Sequence, residues 1–247
     1  MDDSSLASGE RLQKLRILSG SVLKTVALIS MIIDHIGYFF LYQTDFGMNP
    51  LFRVGSITVS VYWICRKIGR FAFPIYVFLL SEGYLHSKNR FRYASSLLLF
   101  ALISEIPWNL LHSGKVLLLS SQNVFFTLFL GLLAILFSER YREHRHPKDL
   151  IIVFLVFAVS YFLKADYGIR GVGFILIVYL LRERKAEQAL AGSAIYVSNA
   201  PAYFLSFLLI NMYNGKRGYI RSRLLKYLFY AIYPVHLLAM WLIRKSI

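Results

Sequence analysis

The stretch Leu23–Tyr42 reads LKTVALISMIIDHIGYFFLY. It is about as long as one bilayer crossing needs, roughly 20 mostly apolar residues. In its middle Asp34 and His35 stand side by side. An Asp at bilayer depth costs about 2.5–3.5 kcal/mol on insertion scales. A helix does not carry that cost for packing alone where leucine would fit. The pair is expected to face a protein interior or a wet cavity, with the other segments folded around it as a reaction site.

The rest of the chain fits that frame. Of 247 residues 57% are hydrophobic and 16% aromatic, in long apolar runs separated by short basic turns. A soluble domain of this length dilutes its core with loops and surface, so the pattern implies an all-α, polytopic transmembrane bundle. The net charge is +15. Because Lys and Arg cluster between the apolar runs, it reads as membrane topology and anionic-lipid contact rather than nucleic-acid binding. The single cysteine, Cys65, excludes an intrachain disulfide. Residues 1–20 open with two acids and lack a signal-peptide core. They read as a cytoplasmic tail, with Leu12, Leu15 and Leu18 beside Arg11, Lys14 and Arg16 suited to a short helix on the membrane surface. Residues 21–247 read as one transmembrane domain.

Successive spans are expected at Leu23–Tyr42, Val59–Tyr84, Tyr93–Leu111, Asn123–Phe137, Leu150–Leu163, Val172–Leu181, Ala189–Met212 and Leu224–Ile243, with polar turns at Thr44–Gly55 and Ser138–Asp149. With the N-terminus inside, Lys88, Arg90, Arg92, Arg140, Arg142, Arg145, Lys148, Arg182, Arg184 and Lys185 all fall on the cytoplasmic side, as the positive-inside bias requires. The basic run from Lys216 to Lys226 would then lie outside. A break at Asn199-Ala-Pro201, splitting one segment into two short crossings, returns it to the cytoplasm. The expectation is eight or nine spans.

Counting 1.5 Å per residue, Asp34, His35, Arg70, Glu105 and His236 reach similar depth on four segments. Buried charges pair or reach water, so one cluster is the economical arrangement. His35 titrates near working pH and is suited to general base chemistry. Arg66 and Arg70 lie one helical turn apart and are suited to a phosphate or a developing oxyanion. Glu82, Asp166 and Arg170 are further candidates, although an interfacial Glu82 and a loop ion pair of Asp166 with Arg170 explain them equally well. Asp34 with Arg70 is equally well a packing ion pair, and His35 a neutral core histidine. No metal-ligand spacing, Walker loop or GxGxxG occurs.

Several stretches, in order, resemble the TraX family of bacterial membrane proteins: LKTVALISMIIDHIGYFF, RKIGRFAFPIYVFLLSEGY, RYASSLLLFALISEIPWNLL, NVFFTLFLGLLA, ADYGIRGVGFILIVYLL and KYLFYAIYPVHLLAMWLI. The signatures I-D-H-I-G, G-R-x-A-F-P, S-E-I-P, D-Y-G-x-x-G and F-Y-x-x-Y-P-x-H are specific as a set. The matching polar positions are Asp34, His35, Arg70, Glu82, Glu105, Asn123, Asp166, Tyr167 and His236. The resemblance implies an inner-membrane acetyltransferase that moves acetyl from acetyl-CoA to the N-terminal amine of a pilin. Related polytopic acyltransferases imply glycan or lipid acceptors as alternatives.

On that expectation His35, Asp34, Arg70, Glu105 and His236 carry catalysis. Arg66, Arg70, Lys88, Arg90, Asn123 and Tyr167 hold the donor. A proton-coupled transporter or channel is the rival, since midplane Asp, His and Glu groups suit ion pathways equally well.

Overall fold

A computed structural model of the chain describes residues 15–246, so the tail residues Arg11, Leu12 and Lys14 expected to line a surface helix lie outside the described residues. The described chain is nearly all helical and divides into two compact units. One comprises the described residues up to Tyr76 together with Tyr196–Ser222; the other comprises Val77–Ile195 and the residues from Arg223 onward.

In the first unit α1 spans Gly20–Ile36 and runs directly into a π-helical turn, Gly37–Leu41. Ser19 caps its start, accepting from the Val22 N–H. A short helix, α2 (Asp45–Met48), and a hairpin of β1 (Phe52–Val54) and β2 (Ile57–Val59) follow. The hairpin replaces part of the expected polar turn. Its β-branched residues flank Gly55-Ser56, and Gly55 supplies the positive φ (+58°) that a two-residue hairpin loop requires.

The expected second span, Val59–Tyr84, is two helices: α3 (Val61–Gly69) and α4 (Ala72–Leu85). Pro74 explains the break, because it has no N–H to bond the Arg70 carbonyl and its ring crowds that carbonyl. Ser60 caps α3 through the Trp63 N–H.

The basic loop before Ser222 is stapled to the start of α1. Leu18 bridges Tyr213, the Gly20 and Ser21 amides donate to the Lys216 and Arg217 carbonyls, and the Ser21 hydroxyl accepts from the Ile220 N–H. That loop therefore sits at the end of the unit where α1 begins. Of the two placements left open for this run, the one on the side where α1 begins agrees with these contacts. The chain breaks at Tyr196, between α9 (Lys185–Ile195) and α10 (Ala200–Asn211), through a 3-10 turn at Val197–Asn199.

The second unit holds α5 (Arg90–Ser113), α6 (Val124–His144), α7 (Pro147–Phe162), α8 (Gly168–Leu180), α9 and α11 (Arg223–Ser246). Helix α6 outruns its expected end at Phe137, because Ser138–His144 is made of good helix formers tied by an Arg142–Glu139 pair. The expected charged loop at Ser138–Asp149 is therefore largely helix. It ends at Arg145 in the left-handed conformation (φ +56°), and Pro147 opens α7 at its first turn. Helix α6 packs on α5, α7 and α8, around Leu130, Ala134, Val156 and Val172. Helices α5 and α11 meet through Phe100 with Tyr227 and Tyr230. The outer face of α7, with Ile151, Phe154, Leu155 and Phe162 exposed, suits lipid.

Among the described residues four helices are long and apolar enough to cross a membrane: Gly20–Leu41, Arg90–Ser113, Val124–His144 and Arg223–Ser246. The broken pair Lys185–Ile195 and Val197–Asn211, taken as one span, makes five. The chain is a multi-pass membrane protein, with four or five candidate spans among the described residues against the eight or nine expected.

Candidate functional site

In the first unit α3 lies against the C-terminal half of α1, and glycines set their separation. A Cβ at Gly37 would come within 2.6 Å of the Cys65 Cβ, and one at Gly69 would collide with the Asp34 carboxyl. Small residues let helix backbones approach closely, and here the approach carries Asp34 onto α3. Arg66 donates to the Asp34 Oδ2 at 2.6 Å, with the two side chains only 22% and 18% exposed. Arg66 also lies over the Tyr38 ring, 5.0 Å from its centroid. Arg70, the C-cap of α3, is within electrostatic reach of the same carboxylate.

The partner of Asp34 is thus Arg66 rather than the expected Arg70. Arg70, as the C-cap, keeps right-handed helical angles (φ −66°, ψ −13°), and both arginines act on the same carboxylate. Lys67, expected to reach for the membrane surface, instead donates to the Ser198 carbonyl and to Asn199 Oδ1, at 3.4 and 3.1 Å. His35 follows Asp34 but is turned about 100° from it around the helix axis. It is half-buried, with its ring edge toward Phe39. Immediately beyond it begins the π-helical turn, a feature often found at functional sites.

In the second unit Glu105 of α5 meets Asn123, the N-cap of α6. The Asn123 Nδ2 donates to Glu105 Oε2 at 2.7 Å and to the Ala101 carbonyl at 2.8 Å, while its Oδ1 caps the Phe125 N–H. His236, one turn beyond Ile232 on α11, has Nδ1 2.9 Å from the Ile232 carbonyl and its ring beside Tyr233. Glu82 lies near His86 at the end of α4. Tyr167 donates its amide to the Thr127 hydroxyl, Asp166 precedes it, and Arg170 sits exposed in the first turn of α8. Lys88 and Arg90 line a cavity of about 560 Å³.

Asp34, His35, Arg66 and Arg70 belong to the first unit, Glu105 and His236 to the second. Sequence reasoning passed over Gly37, Gly69 and Tyr38. The signal for the glycines lay inside the I-D-H-I-G and G-R-x-A-F-P signatures, each with its glycine next to or near a charged site residue.

The chain matches the family described as TraX protein over residues 19–244, nearly its full described length. It belongs to the TraX family. It is also 30% identical, over 243 residues covering 87% of this chain and 91% of the relative, to a probable fimbrial assembly protein FimC, serogroup H1, of Dichelobacter nodosus. No solved structure gives a significant match.

Gly69→Ala in this TraX protein should lower stability by about 1–3 kcal/mol, the usual cost of overpacking, read as a lower melting temperature of the purified protein. Gly173→Ala is the control. Its Cβ would meet Phe157 at an ordinary 3.7 Å, so helix propensity should leave it neutral or slightly stabilised.

Proposed function

We propose that the chain is an integral membrane acyltransferase of the bacterial cytoplasmic membrane, its N-terminus on the cytoplasmic side. It transfers acetyl from acetyl-CoA to an amine or hydroxyl of an acceptor, a pilin-like or fimbrial protein in the first instance. Membership of the TraX family, together with the name of the fimbrial assembly relative, supports the acceptor class. The observation that carries the chemistry is the 2.6 Å pair of Asp34 with Arg66, with His35 next to Asp34 in a helix long and apolar enough to cross a membrane.

The acceptor nitrogen or oxygen attacks the thioester carbonyl while His35 takes its proton. Arg70, with the Asp34-held Arg66 beside it, stabilises the oxyanion. Collapse breaks the carbon–sulfur bond, and the CoA thiolate leaves with the proton that His35 returns. Lys88 and Arg90 are suited to the donor's phosphates; Asn123 and Tyr167 act through the helix starts they occupy. Glu105 and His236 are the second-unit candidates for positioning the acceptor.

The test is acetyl transfer from labelled acetyl-CoA by purified protein. His35→Ala should lower the rate by about 10²-fold or more, the usual contribution of a general base, with an unchanged melting temperature. A fully active variant would remove His35 from the scheme. The second reading, a proton-coupled transporter, draws on the helix breaks at Arg70–Phe71 and Tyr196. Proton flux in liposomes without a thioester would favour it.

A further inference from the structure

The loop from Ser87 to Asn89, the start of α5 and the last turns of α6 line an open surface cavity of about 560 Å³, within the range of small-molecule sites, about 300–1,000 Å³. Lys88 and Arg90 enter from the α5 side. Leu136, Arg140 and His144, spaced by four residues along one face of α6, enter from the other. The lining contains no carboxylate. Ser87 and Asn89 add polar groups, and Phe91, 75% exposed, adds an aromatic face.

Two of the three cations have fixed contacts. The Arg90 guanidinium lies 4.5 Å from the centroid of the Tyr84 ring. The Arg140 Nε lies 3.5 Å from Asp149, a fully buried carboxylate at the start of α7, which leaves the two terminal amino groups of that guanidinium for a ligand. Glu139 and Glu143 flank the cavity on α6 without lining it, and Glu139 is paired with Arg142. A guanidinium fixed by a buried acid, facing two further cations across a cavity, is a built anion site rather than a run of solvated charge.

We propose that this cavity binds a phosphate ester, with Lys88, Arg90 and Arg140 on the phosphoryl oxygens and Phe91 against the group that the phosphate carries. Two sources share that chemistry: the nucleotide end of CoA and an anionic lipid headgroup. The first source rests on the acyltransferase reading; the site itself does not.

The experiment uses the full chain purified in an uncharged detergent. Binding of adenosine 3′,5′-bisphosphate, a nucleotide with no thioester, is measured by calorimetry for wild type, Lys88→Gln/Arg90→Gln and Arg140→Gln/Asp149→Asn. The last double variant removes both members of the buried pair and strands no charge. In parallel, thermal stabilisation is compared in nanodiscs with and without phosphatidylglycerol. About tenfold weaker bisphosphate binding in both variants, the scale expected for losing charge-assisted hydrogen bonds, supports the site with a nucleotide as its ligand. Stabilisation by phosphatidylglycerol that the variants lose, without bisphosphate binding, supports the site with lipid as its ligand. If neither ligand distinguishes the variants from wild type, the proposal is overturned. Acetyl transfer by the same samples separates the two ideas: variant-sensitive bisphosphate binding in a protein without transferase activity keeps the site and removes the enzyme. Transfer with unchanged donor KM in both variants keeps the enzyme and removes CoA as the ligand of the site.

Discussion

Arg66→Ala should destabilise the protein by about 3 kcal/mol and strip it of acetyl transfer, the larger stability effect of any single change at the Asp34 pair. Removing one member of a buried ion pair leaves the other charge uncompensated, which costs about 3–5 kcal/mol. Asp34 is four-fifths buried, and Arg70 offers it only partial compensation, so the lower end of that range applies. Asp34→Ala alone should cost less, because the long Arg66 side chain reaches solvent more readily than the short Asp.

The double variant Asp34→Ala/Arg66→Ala decides what the pair is for. It removes both charges, so stability should return toward wild type. If the pair only locks α1 to α3, transfer returns with it. If Arg66 and Asp34 serve the reaction, the double variant melts normally and stays inactive. An Arg66→Ala protein with wild-type melting temperature and activity would contradict both roles.

The limits of the sequence show at this same pair. The spanning character of Leu23–Tyr42, and the oddity of an acid within it, were legible from hydropathy and length alone, and the helix observed at Gly20–Leu41 differs by a few residues. The choice of Arg66 over Arg70 was not legible. Spacing by one helical turn makes the two equivalent, and only the tertiary approach of α1 to α3 selects between them. The signal for the end of α3 was Pro74, four residues after Arg70, but the apolar run continues through it.

The hairpin at Phe52–Val59 was likewise present as β-branched residues around Gly-Ser, but its three-residue strands are too short for a period-two pattern to stand out. Helix α6 was cut short for the opposite reason. Hydropathy ends at Phe137, whereas backbone hydrogen bonding continues as long as Glu, Arg and Tyr supply propensity and i,i+3 pairs. Which midplane groups share a unit depends on the tertiary path of the chain, and no local pattern encodes it.

Asn123→Ala should cost the second unit about 3 kcal/mol. The side chain is fully buried and makes three bonds at once: it caps α6 through the Phe125 amide, and its Nδ2 donates to both the Ala101 carbonyl and Glu105 Oε2. Loss of a cap costs about 1 kcal/mol, and taking a donor from the half-buried Glu105 carboxylate and from the Ala101 carbonyl adds about 1–3 kcal/mol. Asn123→Asp should be worse: it keeps the cap acceptor but sets a second carboxylate against Glu105 in place of a donor, with like charges in a poorly solvated place. Glu105→Gln should be milder than either, because Gln presents a neutral acceptor to the same Nδ2 at similar length. The expected order of melting temperatures is therefore wild type, Glu105→Gln, Asn123→Ala, Asn123→Asp. The order also separates structure from chemistry. With both Nδ2 hydrogens engaged inside the fold, Asn123→Ala should lose transfer only in proportion to folded protein lost. A Glu105→Gln variant that folds normally yet transfers no acetyl would mark the carboxylate's charge, rather than its hydrogen bond, as the property the reaction uses.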